Sequence, residues 1–226
     1  VGGGGRRGGS GWRWARGSES EVGLQAAGLG RWRGRVKAGA VSDGKVEYVD
    51  VTRTFIDAAG GKPVAGLDGK SFLPVLSGEA KRHKDYVFGI MTTRGINNGT
   101  EAFAIRSVRD KRYKLILNLN HESKFTNACT KSPLFQSMVA KAETGDVLAK
   151  RLVRAYHHRP AVELFDMEAD PLEMNNLAGQ ADTKKVLARL RQKLAAWMRA
   201  QGDKGVATEM KALERQRPGK SRKKNR

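Results

Sequence analysis

From Val162 to Ala178 the chain reads Val-Glu-Leu-Phe-Asp-Met-Glu-Ala-Asp-Pro-Leu-Glu-Met-Asn-Asn-Leu-Ala. This stretch leaves little choice of local structure. Val162 to Met167 is short and apolar, the length and composition of a partly buried strand. Asp170-Pro171 stops it, because an Asp side chain bonds its own following backbone and Pro presets φ for a tight turn. Asn175-Asn176 is a second turn signal, and a long helical pattern opens soon afterwards. Strand, turn and helix entry follow one another in under twenty-five residues.

Three more strands are expected upstream. Tyr86 to Met91 is a short apolar run. Phe103 to Val108 and Tyr113 to Leu119 flank Arg109-Asp-Lys-Arg112, which reads as a hairpin turn. Leu115, Leu117 and Leu119 recur at the strand period, so one face of that strand is apolar. Thr183 to Gln201 sets Val186-Leu187, Leu190, Leu194 and Trp197-Met198 on one helical stripe, with Lys184, Lys185, Arg189, Arg191 and Lys193 elsewhere. That helix is the natural cover for a small sheet. Asn120 to Pro160 intervenes between the third and fourth strands, and Val139, Leu148, Leu152 and Val153 predict a helical insertion over 137–156. Val46 to Ala59 reads as a helix ending at Gly60-Gly61, and Leu67 to Gly78 as a turn at Gly69 followed by a short helical segment. The fold class expected is α+β: a four-stranded antiparallel sheet packed by a C-terminal helix, with disordered basic ends.

Charge narrows the partners. Lys and Arg outnumber Asp and Glu by 43 to 23, a net charge of +20. Part of the excess gathers at a Gly/Arg-rich start and a Lys/Arg-rich finish, the pattern of solvated tails more than of nucleic-acid arms. Residues 1–30 cannot bury enough apolar surface to offset backbone ordering, and they read as disordered or out of frame. No run approaches the ~20 apolar residues of a membrane span. The chain begins with Val and shows no apolar signal-peptide core, so either this is not a natural start or sequence upstream is not represented. The single cysteine, Cys129, excludes an intrachain disulfide and a multi-cysteine zinc site.

Several phrases carry a family resemblance. Glu163 to Ala178 resembles the segment near the C-terminal end of sulfatases of the alkaline-phosphatase-like superfamily. Gly30-Arg-Trp-Arg-Gly-Arg-Val-Lys-Ala-Gly39 is similar to another sulfatase phrase, with Arg33 where the family usually has Pro. Val49-Asp-Val-Thr-Arg-Thr54 resembles a third, with Arg53 again in place of Pro, and Leu67 to Gly78 a fourth. Thr92 to Gly99, Ala104 to Arg109 and Arg112 to Leu119 look most like the branch related to heparan N-sulfatase. The resemblance spans 31–201 and switches on abruptly near 31, as a frame change would make it do. It implies 31–78 as the end of the large-domain region, 79–205 as the C-terminal subdomain and 206–226 as a basic tail.

The resemblance implies a hydrolase of sulfate esters or N-sulfates acting on a sulfated saccharide, usually exported or lysosomal. The family's nucleophile is a formylglycine made from a Cys/Ser-x-Pro/Ala-x-Arg motif, and its metal, usually calcium, sits among Asp and Asn oxygens. Both are expected in the intact enzyme and neither in this chain, which is therefore expected to be inactive alone. Cys129 is followed by Thr130, Lys131, Ser132 and Pro133, failing the motif at both fixed positions. His157-His158 are adjacent and point apart, and with His83 and His121 read as packing or surface residues. The subdomain lends loops to the rim of the substrate pocket in this family. Arg94, whose planar fork suits a sulfate or carboxylate, and Asn97 and Asn98 are the substrate-contact candidates. A basic binding module for sulfated polysaccharide, or less readily nucleic acid, is the alternative.

Overall fold

The computed structural model describes residues 28–62, 64–92, 103–211 and 214. These form two compact units. One lies within 28–87 and includes 109–112; the other comprises the described residues from Phe88 to Val108 and from Tyr113 onward. Among the described residues, no helix is long and apolar enough to cross a membrane.

The first unit holds two helices, α1 (Tyr48–Ala58) and α2 (Leu73–Ser77). Helix α1 starts where Glu47 and Asp50 exchange bonds: the Glu47 amide donates to Asp50 Oδ2 at 2.9 Å, and the Asp50 amide donates to the Glu47 carbonyl at 2.9 Å. Pro74 opens α2 without wasting a donor, and Gly78, at φ 85°, closes it in the left-handed region. Helix α1 buries a polar face: Asp50 and Thr54 are sealed, whereas Tyr48, Val49 and Phe55 are 83%, 53% and 70% exposed.

The second unit is built on the expected four-stranded antiparallel sheet, β1 (Val87–Met91), β2 (Ile105–Arg109), β3 (Tyr113–Asn118) and β4 (Val162–Asp166), in that spatial order. Strands β3 and β4 run antiparallel, pairing Lys114 with Phe165 and Ile116 with Glu163. Leu115 and Leu164 therefore share one face, and Lys114, Ile116, Phe165 and Glu163 the other. Helix α5 (Lys184–Ala200) packs on β3 with Leu190 and Leu194 fully buried. Its Trp197 ring stacks on Phe88 at 4.8 Å.

The opposite face is covered as well. Phe103, Ile105, Ile116, Phe125, Phe165 and Met167 form one buried cluster, with Met91 and Tyr156 packed against it. The long insertion supplies that cover. It is helical, as expected, and contains a 3₁₀ turn (Ala128–Lys131) and two helices, α3 (Pro133–Glu143) and α4 (Val147–His157). Gly145, at φ 103°, breaks the chain between them, and Asp146 then caps α4 by accepting the Ala149 amide at 2.8 Å. The apolar spacing that predicts the helical insertion does not mark this break. A final turn of helix, α6 (Val206–Met210), extends the ordered chain beyond residue 205, with Glu209 buried. Of the start expected to be disordered (1–30) and the basic tail (206–226), residues 1–27, 212–213 and 215–226 lie outside the described residues.

Candidate functional site

The residues around Thr92 come nearest to a functional site. Strand β2 turns Arg106 into the interior, where its side chain is 2% exposed. Its Nε donates to Asp203 Oδ2 at 2.5 Å, and Nη1 donates to the carbonyls of Ile105 and Met91 at 2.9 and 3.2 Å. Glu209 Oε2 lies 3.8 Å from Nη2. The other Glu209 oxygen accepts the Thr92 hydroxyl. Burial works against the Asp203 charge, but the Arg106 guanidinium and the Gly205 amide outweigh it and hold this carboxyl below its usual range. A buried cation is thus neutralised by two carboxylates from the C-terminal segment, and one of these also grips the last described residue of β1's exit. The chain then runs directly into Arg94, Asn97 and Asn98, which lie outside the described residues.

A second charged centre sits in the first unit. Asp50 accepts the Lys70 amide at 2.8 Å, lies 2.7 Å from Lys84 Nζ and 3.1 Å from His83 Nε2, and is wholly buried. Lys84 also reaches Glu47 at 2.5 Å. Burial opposes the Asp50 charge, yet the Lys70 amide and Lys84 ammonium together pull its carboxyl below the usual range, and Lys84 is raised in return. His83, expected as a loop histidine, is one wall of this network, and its ring meets Phe72 edge-on at 5.9 Å. Sequence reasoning passed over Asp50 and Lys84. Thirty-four positions separate them, and no local pattern joins them.

A third cluster lies on the inner sheet face. Lys114 Nζ is 2.9 Å from Glu173 Oε1, with both side chains nearly sealed. Asn118 donates to Glu163 Oε1 at 2.5 Å, and burial raises the Glu163 carboxyl despite the attraction of Arg159. Arg159 itself lies over the rings of Phe125 and Tyr156, at 4.8 and 5.4 Å from their centroids.

The remaining candidates have structural surroundings. Cys129 sits in the 3₁₀ turn, its amide bonded to Asn127 Oδ1 at 3.0 Å and its carbonyl accepting Ser132 Oγ at 2.7 Å. His157 donates from Nδ1 to the Phe125 carbonyl at 2.8 Å, and His121 is exposed. Among the described residues no group of three His, Cys, Asp or Glu side chains could hold a metal ion.

Residues 20–132 match the family described as N-sulphoglucosamine sulphohydrolase, C-terminal. This chain belongs to the sulfatase family. An ulvan-active sulfatase of Formosa agariphila is 36% identical over 183 residues, covering 81% of this chain and 34% of that protein. Human N-sulphoglucosamine sulphohydrolase is 31% identical over 171 residues, covering 70% of this chain and 33% of the human one. A protein solved with its substrate D-glucosamine-2-N,6-O-disulfate superposes with a TM-score of 0.53 at 24% identity, over 75% of this chain and 27% of that one, and so shares the fold. The chain spans about a third of the length of the curated relatives it matches.

Proposed function

We propose that this chain is the C-terminal portion of a sulfatase that hydrolyses a sulfate ester or N-sulfate on a polyanionic saccharide. Its nucleophile and calcium come from residues outside the chain, and alone it is inactive. The family match, over about a third of the relatives' length, is the observation that carries this reading. Helix α1 agrees with it: a helix with a sealed polar face and an exposed apolar one is shaped to pack against something larger. The human relative's name and the disulfated glucosamine of the superposed structure favour an N-sulfated sugar, and the ulvan-active relative favours an algal polysaccharide.

The role of this portion is to present the segment after Thr92 to the substrate. Arg94 pairs with a sulfate or carboxylate, and Asn97 and Asn98 bond sugar hydroxyls. Support comes from the rigid base of the segment: a buried guanidinium, two buried carboxylates and the Thr92 hydroxyl fix where it starts. In the intact protein, Arg94→Ala raises KM for a sulfated saccharide about tenfold with kcat little changed, the signature of lost uniform binding. Unchanged kinetics would remove Arg94 from the substrate contacts. Sulfate release by the purified 226-residue chain would sink the claim that it is inactive alone.

A net charge of +20 favours a second reading, a basic module that binds sulfated polysaccharide without hydrolysing it. Steeply salt-dependent binding that disappears when 1–30 and 216–226 are trimmed is its signature, together with a gene that encodes no nucleophile motif.

A further inference from the structure

Helices α3 and α4 leave between them a cleft of about 660 Å³. Its floor is aliphatic: Val139 and Ala142 from α3 face Val153 from α4. Lys124, Lys150 and Arg154 line its rim, three cations against the single carboxylate of Glu143. Lys150 and Arg154 stand one turn apart on α4, the spacing that puts two side chains side by side. Both are exposed, and neither makes an ion pair among the described residues. Lys124 is brought to the same place by two bonds between its neighbour Phe125 and His157, one backbone and one from the His157 ring. The Phe125 amide donates to the His157 carbonyl at 2.8 Å, and His157 Nδ1 donates back to the Phe125 carbonyl at 2.8 Å. These bonds tie the segment that carries Lys124 to the end of α4. It lies almost entirely beyond the family match, which ends at residue 132.

Apolar floor and cationic rim are what a sulfated sugar needs. The faces of a pyranose ring are C–H surfaces that pack on aliphatic groups, while its sulfates and carboxylates project outward to ammonium and guanidinium donors. Single-stranded nucleic acid asks for broad aromatic platforms under its bases; no Phe, Tyr or Trp lines this cleft, and its aromatic lining is the two imidazoles of His157 and His158. We propose that the α3–α4 cleft binds a segment of sulfated polysaccharide, its ring on Val139, Ala142 and Val153 and its anionic groups on Lys124, Lys150 and Arg154. The assignment rests on the reading of the chain as part of an enzyme acting on such a polymer. It adds a place where the chain of sugars is gripped.

His157 and His158, which also line the cleft, supply the readout. Burial lowers the His157 pKa, and the neighbouring charges of Lys124 and His158 push it the same way, against the bond to Phe125. An anion seated in the cleft offsets those charges and raises it. The experiment is an NMR titration of the 226-residue chain with a heparin-derived hexasaccharide, following the ring signals of its four histidines. The signals of His157 and His158 shift and the His157 titration moves upward, while those of His83 and His121 stay in place and report that the fold is intact. Lys150→Ala/Arg154→Ala weakens the binding read at His157 by about tenfold or more, roughly the worth of one charge-assisted bond. Lys184→Ala/Lys185→Ala on α5 leaves it unchanged. Signals of His157 and His158 that stay still at saturating hexasaccharide overturn the proposal. An equal response to a fully desulfated hexasaccharide, or to a charge-matched single-stranded oligodeoxynucleotide, overturns it too. Binding at His157 in a chain whose intact parent releases no sulfate would defeat the enzymatic reading and leave the cleft standing.

Discussion

Gly69 stands where no other residue fits. A Cβ at that position would lie 1.8 Å from the Val49 carbonyl oxygen and 2.9 Å from the Asp50 Cα. The approach delivers the amide of Lys70 onto Asp50 Oδ1. In the sequence, Asp68-Gly69 reads as an ordinary turn signal, since a glycine needed for contact and one needed for conformation look alike. Gly69→Ala therefore forces the backbone apart and destabilises the first unit by about 1–3 kcal/mol. Hydrogen exchange of the α1 amides measures it, and unchanged protection would mean the contact has slack. Asp50→Asn tests the other partner. It removes the charge that faces Lys84 and His83, at a cost of about 1–3 kcal/mol at pH 7. Because the folded carboxyl titrates below its unfolded value, the stability it contributes is complete above about pH 3.9 and lost as pH falls through the folded pKa. Denaturant midpoints of the two proteins should differ at pH 7 and converge in acid. A difference that persists at low pH would assign the effect to shape, not charge.

Strand β4 is the last in its sheet, and an edge strand offers unpaired amides and carbonyls to any passing chain. The turn after it folds back to occupy them. Asn176 accepts the Leu164 amide at 2.9 Å and donates to the Val162 carbonyl at 2.9 Å, and the Leu177 amide reaches the Leu164 carbonyl at 2.8 Å. Asp170 holds the turn by accepting the Asn175 amide at 2.7 Å. Glu173, at φ 56°, reaches Lys114. Asn176→Ala strips two bonds from the edge and costs about 1–2 kcal/mol. The variant should also aggregate faster on mild heating, followed by light scattering; a midpoint and aggregation rate equal to wild type would mean the edge is protected by other means. Strand positions were legible because alternation and turn residues are local. So was the stripe of α5, whose Leu190 and Leu194 are the buried ones. The split between α3 and α4 was not, since one left-handed glycine interrupts a continuous apolar period. Nor was the polar inner life of the sheet. Arg106 and Lys114 are sealed by carboxylates ninety-seven and fifty-nine positions away, and separations of that size leave no trace in a window of sequence.

At the scale of the molecule, the oddity is a helix turned inside out. An isolated domain that seals Asp50 and Thr54 while leaving Tyr48, Val49 and Phe55 in water has its apolar stripe facing outward. The chain spans about a third of the length of the relatives it matches, and on the proposed reading the exposed stripe is where further chain would pack. This placement separates two fates of one substitution. Phe55 is mostly exposed, so with Phe55→Glu the isolated chain should keep its helical circular dichroism and self-associate less in sedimentation velocity. In the intact protein the same change would bury a charge in place of an aromatic ring, forfeiting about 1.5–3 kcal/mol of apolar burial before the charge is counted. Its thermal midpoint should fall, and sulfate release should fall with it at temperatures the wild type tolerates. An intact Phe55→Glu protein as stable as wild type would mean that α1 faces solvent throughout. The apolar stripe would then need another partner, and nothing in the shape of α1 would call for a larger catalytic body.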